Sequence, residues 1–381
     1  MVTHLLDFLS RPLWRWCGRK ITMADGLIFI GILGFSTLSF LGHWQGRTGF
    51  VQLSSDPANI ASFVAAREHP ELFTQDALLS DIGNFGFYYT LHIPVVSWLG
   101  GLLDNYGLAL VYLYLPHVIL QGLGFYWLGR ELFKDRFWAL LLVVITYLPF
   151  SMNWGEFWGL LYGVMPRLSY QALLPLLLAS ALRWRRRPER WPLLMVLTGL
   201  MAFVYPVSTP AWGIALWLGL VVFLDVEKPR RERVAIAIKS GLVFLAAILP
   251  YAYHYLTNYA HGEVANYALI SEIKRVRFYE GFSDLWYGIQ EYVTVIALDR
   301  ELELFSVGLA AVAYAWWVGR AQQHSATRML LGWLFGILFV SLAIPAIDFT
   351  IARRLDRLPL QIDLVRNLRY LFPLLLLFSL W

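Results

Sequence analysis

The acids and arginines that fall outside the long apolar runs are where this chain could do chemistry. Ser54-Ser55-Asp56-Pro57-Ala58-Asn59-Ile60-Ala61 puts a carboxylate soon after the first apolar run. An Asp directly before Pro reads in two ways. It can start a helix, with the carboxylate as N-cap and Pro57 at the first helical position. It can also be a carboxylate with a chemical role of its own, just outside the membrane. Asp76 and Asp81 add two carboxylates to the same loop and read as solvated acids unless a partner meets them. Asn153-Trp154-Gly155-Glu156-Phe157-Trp158 sets one acid among tryptophans. A carboxylate there is costly to desolvate without a cation, a metal or a hydroxyl donor. Arg167, at the far end of the same stretch, is the nearest candidate cation.

Arginines concentrate late in the chain. Asp348–Arg369 holds Arg353, Arg354, Arg357, Arg366 and Arg369. Guanidinium groups suit bidentate contact with phosphate, so these side chains point to an anion: a phospholipid headgroup or a lipid-linked phosphosugar. Lys274, Arg275 and Arg277 could join either, and His92 completes the set of substrate-binding candidates. No GxxxxGK[ST], HExxH or GxSxG motif and no Cys/His cluster occurs, so nucleotide chemistry and zinc hydrolysis have no support. The single Cys17 permits no intrachain disulfide. No metal site is indicated, the cofactor is unknown, and a divalent cation stays open.

The elements that must hold these residues are membrane helices. Of 381 residues, 58% are apolar and 15% charged, with a mean hydropathy of +0.56. A soluble domain carries about 25% charged residues, so a soluble enzyme, a disordered chain and a nucleic-acid binder are excluded. The net charge of +5 matters less than which loops hold it. Ten apolar runs read as spans: Met23–Leu41, Leu108–Leu128, Phe137–Met152, Ser169–Leu182, Pro192–Pro206, Ala211–Leu224, Gly241–Tyr255, Leu304–Val318, Met329–Ile347 and Tyr370–Trp381. The expected fold is all-α: a polytopic membrane protein of about ten transmembrane helices, forming a single domain.

Basic stretches at Arg130–Arg136, Arg183–Arg190, Lys228–Lys239 and Arg320–Arg328 share one face with the basic N-terminus, which defines the cytoplasmic side. Met1–Lys20 reads as a retained signal anchor. Phe85–Leu103 breaks the count and fits an interfacial segment better than a span. The outer face then carries residues 42–107, 153–168, 256–303 and 348–369, the first a long loop with amphipathic juxtamembrane helices. The last run is too short to span, which reads as the end of a fragment.

This layout resembles the GT-C superfamily of membrane glycosyltransferases, over about Gly26–Arg190 within a module of residues 22–260. Three features carry the likeness: an outer loop with an acid starting a helix at Asp56-Pro57, a Pro- and Tyr-containing segment ending near Leu103-Asp104-Asn105-Tyr106-Gly107, and a span closing on Tyr126-Trp127-Leu128-Gly129-Arg130-Glu131-Leu132-Phe133 before Tyr147-Leu148-Pro149. Arg366-Asn367-Leu368-Arg369-Tyr370 is a looser echo. The resemblance implies an enzyme at the outer face of a bacterial-type inner membrane. Its partners would be membrane lipids and a polyprenyl-phosphate-linked sugar donor. Asp56 would be the general base of an inverting transfer, Glu156 the second acid, and the late arginines would hold the leaving phosphate. Asp56 is followed by Pro-Ala-Asn rather than a second acid or an aromatic, which weakens metal binding and leaves Asp76 or Asp81 as alternative bases. The alternative is a non-catalytic transporter or assembly protein of the same fold.

Overall fold

An apolar run becomes a stable helix either by facing lipid or by facing other helices, and this chain uses both. In a computed structural model, residues 8–16, 19–44, 53, 56–81, 89–152, 155–160, 164–221, 229–261, 304–321, 325–354 and 364–381 are described. They form α1 (Met23–Trp44), α2 (Asp56–Glu68), α3 (His92–Leu103), α4 (Tyr106–Leu132), α5 (Arg136–Tyr147), α6 (Pro166–Trp184), α7 (Trp191–Leu200), α8 (Thr209–Val221), α9 (Arg230–His261), α10 (Leu304–Ala321), α11 (Ser325–Leu338), α12 (Ile344–Arg354) and α13 (Leu371–Leu380). Two antiparallel hairpins interrupt the helices. β1 (Pro12–Trp16) pairs with β2 (Arg19–Thr22), and β3 (Phe150–Met152) with β4 (Gly155–Trp158).

The expectation of about ten spans is corrected to four. Among the described residues, only Met23–Trp44, Tyr106–Leu132, Arg231–Thr257 and Ala326–Asp348 are long and apolar enough to cross a membrane. Length is the first reason. α5 has 12 residues and α13 has 10, or about 18 and 15 Å at 1.5 Å per residue, against a hydrocarbon core of about 30 Å. Burial is the second. Leu371 through Phe378 of α13 are all buried, as are Trp212, Ala215 and Leu216 of α8. A helix that is apolar all round fits a protein core as well as it fits lipid. By contrast, α1 exposes Leu27, Ile30, Leu33 and Leu38, and α9 exposes Val234, Ile238, Leu242, Leu245 and Leu249. Such exposed apolar faces on long helices are consistent with a multi-pass membrane protein.

α4 is the central strut, packed by α1, α3, α5 and α6. Its Asn105 N-cap accepts from the Leu108 backbone N–H at 2.8 Å. α4 and α6 run parallel in constant register. His117 meets Ser169 fifty-two residues on, and Glu131 meets Arg183 at the same offset. α6 therefore begins level with Tyr114, about 12 Å along the axis from the start of α4. α8, α10, α11 and α13 form the other side of one continuous apolar core. A separate small cluster, including Ile60, Val64, Ile93 and Leu110, seats α2 and α3 against the first turns of α4.

Candidate functional site

The N-terminus of α6, the 3₁₀ turn Leu364–Tyr370 and the start of α8 converge on one side chain, Tyr370, which is fully buried. Its hydroxyl donates to Ser208 Oγ at 2.9 Å. Around its ring stand Trp212 at 5.3 Å, Trp158 at 6.0 Å and Tyr170 at 6.3 Å between centroids. The charges of Arg369 and Arg167 both act on it. Arg167, Tyr170 and Gln171 lie three and four residues apart on α6, so they share one face of that helix. Pro166 at the first position of α6 and Met165 as its N-cap leave that end without a side-chain cap. The positive end of the helix dipole adds to the two guanidiniums.

Buried polar groups nearly always find a hydrogen-bond partner, and here a group of them does not. Arg369 is 4% exposed. Its Nε donates to the Arg366 carbonyl at 2.8 Å, while Nη1 has no acceptor among the described residues. Both amide atoms of Gln171, the Trp158 indole N–H and Asn367 Oδ1 are likewise unmatched. Asn367 itself is fixed, its Nδ2 donating to the Val207 and Leu364 carbonyls at 3.0 Å each. The result is a closely packed aromatic chamber whose unmatched polar atoms include three donors, one of them cationic. Such a chamber suits an anion.

A second polar contact lies on the opposite face of α6. His117 Nε2 meets Ser169 Oγ at 2.6 Å, and Nδ1 bonds to the Leu113 carbonyl. His92 opens α3 and is buried, with Nε2 unmatched. Burial, and next the neighbouring His117, push its pKa down to about 3 from an ordinary 6.5. His92 is thus neutral in the fold while the unfolded chain protonates below pH 6.5. Stability is complete above that pH and falls as the pH drops towards 3. The slope is at most about 1.4 kcal/mol per pH unit. Unfolding measured at pH 7, 6 and 5 should show that slope, and His92→Leu should flatten it by one proton.

The other candidates from the sequence scatter. Asp56 is exposed as the first residue of α2, where Pro57 follows it. It is a helix start rather than a base in a cavity. Glu156 lies on β4 opposite Ser151, but its side chain is outside the described residues. Asp76 accepts the Leu78 and Leu79 backbone N–H groups at 2.8 Å each, and these bonds hold its carboxyl below the ordinary range. It closes a turn. Asp81, Arg354 and Arg366 are exposed. Arg353 sits on α12 with its side chain outside the described residues, and Arg275 lies outside them altogether. Of the predicted set, among the described residues, Arg167 and Arg369 share a neighbour, the buried Tyr370 on which both charges act. Sequence reasoning passed over Tyr170 and Gln171, whose only signal was their spacing after Arg167, and took Trp158 merely as a neighbour of Glu156.

No family model matches the chain, and no curated protein or solved structure matches it either. The likeness to the GT-C superfamily rests on the sequence motifs alone. With four helices long and apolar enough to span among the described residues, in place of ten, and Asp56 exposed, glycosyl transfer with Asp56 as base is withdrawn. The alternative of a transporter or assembly protein on the same ten-span fold goes with it.

Proposed function

We propose that this chain is a multi-pass membrane protein that binds the phosphate headgroup of an amphipathic lipid in the chamber around Arg369 and Tyr370. One observation carries the reading: Arg369 is almost fully buried with a free Nη1, and among the described residues no carboxylate pairs with it. A buried cation costs several kcal/mol unless an anion compensates it. A phosphate supplies that anion and accepts from several donors at once. The apolar surroundings favour an amphiphile over a free ion. The end of the protein that carries Arg130, Arg136 and Arg183–Arg190 faces the cytoplasm in this reading, following the bias of Lys and Arg. The chamber lies towards the opposite side of the membrane.

The test compares lysophosphatidic acid with its phosphate-free counterpart, monoacylglycerol, as ligands of the detergent-solubilised chain. Only the phosphate should bind tightly. Arg369→Gln should weaken it about 10- to 100-fold, because a hydrogen bond to a charged group contributes about 1.5–3 kcal/mol. Arg369→Lys should recover part of the loss. Equal binding of the two amphiphiles, or an unaltered affinity in the Gln variant, would remove the proposal.

A further inference from the structure

A second cationic surface lies at the other end of α6, and it differs from the chamber in being open and rigid. The loop from Trp184 to Trp191 is pinned by its own hydrogen bonds. The Trp191 indole N–H donates to the Trp184 carbonyl at 2.9 Å, the Arg187 N–H to the same carbonyl at 2.8 Å, and the Arg190 N–H to the Arg187 carbonyl at 2.9 Å. Trp191 is buried, so this anchor is fixed in the core. Arg186, Arg187 and Arg190 are exposed on the loop, with Arg190 lying 5.5 Å over the Trp184 ring. The fold crowds these charges. Burial, then the neighbouring charge of Arg186, lowers the pKa of Arg185.

Two acids at this end, the buried Asp25 and the half-buried Glu131, hold other cations, although the charge of Glu131 also acts on Arg185. Asp25 holds Arg130 and Arg136, and Glu131 holds Lys134 and Arg183. Glu189 is the one acid within the loop, and it is exposed. Directly below the loop, α7 turns Leu193, Leu197 and Leu200 outward, 53%, 41% and 45% exposed. These leucines fall three, seven and ten residues after Arg190, which places them on one face of the helix under it. A basic rim above an apolar strip matches one class of partner. A polyanion such as nucleic acid would use the rim and leave the strip wet. A neutral lipid would use the strip alone.

We infer that this loop and the exposed face of α7 form a binding site for an anionic phospholipid, with its phosphate on Arg186, Arg187 and Arg190 and an acyl chain along Leu193 and Leu197. A cation near an anionic headgroup contributes roughly fivefold in affinity, so three give at most about a hundredfold. The experiment titrates the full chain in detergent with phosphatidylglycerol and with phosphatidylcholine, counting bound lipids by native mass spectrometry. Phosphatidylglycerol should bind at least about tenfold more tightly. The triple variant R186Q/R187Q/R190Q should lose that preference, and the triple replacement by Lys should keep most of it. Water-soluble glycerol phosphate should not compete, since it lacks the tail. Equal binding of the two lipids overturns the inference, as does a preference that survives in the Gln triple. A preference lost in Arg369→Gln but kept in the loop variant would move the lipid to the chamber. Full competition by glycerol phosphate would reduce the site to a plain anion contact.

Discussion

Asp25→Ala is expected to destabilise the protein by about 3–5 kcal/mol, the range for removing one partner of a buried ionic cluster. Asp25 is 2% exposed at the first turn of α1. Its Oδ1 accepts from the Tyr126 hydroxyl at 2.7 Å and from Arg136 Nε at 3.2 Å, with Arg130 Nε at 3.5 Å. Its Oδ2 accepts from the Thr22 N–H at 3.0 Å and the Thr22 hydroxyl at 2.8 Å. One carboxylate thus ties the start of α1 to the last turns of α4 and the first residue of α5, and offsets one of the two guanidinium charges it faces. Removing it leaves two cations facing one another beside a desolvated phenol. Asn at the same position keeps hydrogen-bonding capacity but not charge, so its cost should fall only partly.

Unfolding in detergent micelles measures the effect. A triple variant that also removes both cations, D25N/R130Q/R136Q, separates charge from packing. If uncompensated charge dominates, the triple variant recovers more than half of the loss. A loss under about 1 kcal/mol for Asp25→Ala would mean that water screens Arg130 as it does Arg136, whose side chain is 39% exposed.

Asp25 also shows where the sequence was legible and where it was not. Helical class and apolar character followed from composition, because both are one-dimensional properties. An acid inside the first apolar run was itself a signal, since such groups are retained only with partners. Apart from the nearby Thr22, its partners lie more than a hundred positions away, among them Tyr126 and Arg136, and nothing local points to them. The count of spans failed for a related reason. Hydropathy measures the wish to leave water and does not say whether lipid or protein receives the side chain. α13 and α8 are as apolar as any span and lie inside the fold instead. Arg369 was legible as an arginine out of place on the charge map. Its neighbours Asn367 and Tyr370 belong to the same short motif, yet nothing in that motif points to the wall of rings around Tyr370, which comes from α6, α8 and β4. Asp56 had a local explanation available, the Asp-Pro helix start, and α2 does begin there, with Asp56 as its first residue.

Gly336→Val is expected to part α8 from α11 and to cost about 3 kcal/mol, the upper part of the range for overpacking a well-filled core. A Cβ at Gly336 would lie 2.4 Å from Ala215 Cα and 2.8 Å from Ala215 N; one at Gly332 would lie 2.8 Å from Gly219 Cα. Backbone atoms cannot turn aside as a side-chain tip can, so the helices themselves must move. Small residues spaced in this way are how helices cross closely in a membrane, where packing rather than hydrophobic exclusion holds them together. Gly31 supplies the control. It is exposed on α1 with nothing within 4 Å of a Cβ, so Gly31→Ala should be neutral or stabilise by up to about 1 kcal/mol through helix propensity. The consequence for function follows from α8, which carries Trp212 and starts next to Ser208. Both touch Tyr370. Pushing α8 outward should therefore weaken lysophosphatidic acid binding in Gly336→Val although no chamber residue is altered. Thermal unfolding and the binding titration, run on the same samples, should change together in Gly336→Val and not in Gly31→Ala. A variant that unfolds earlier yet binds with full affinity would show that the chamber does not depend on the α8–α11 crossing.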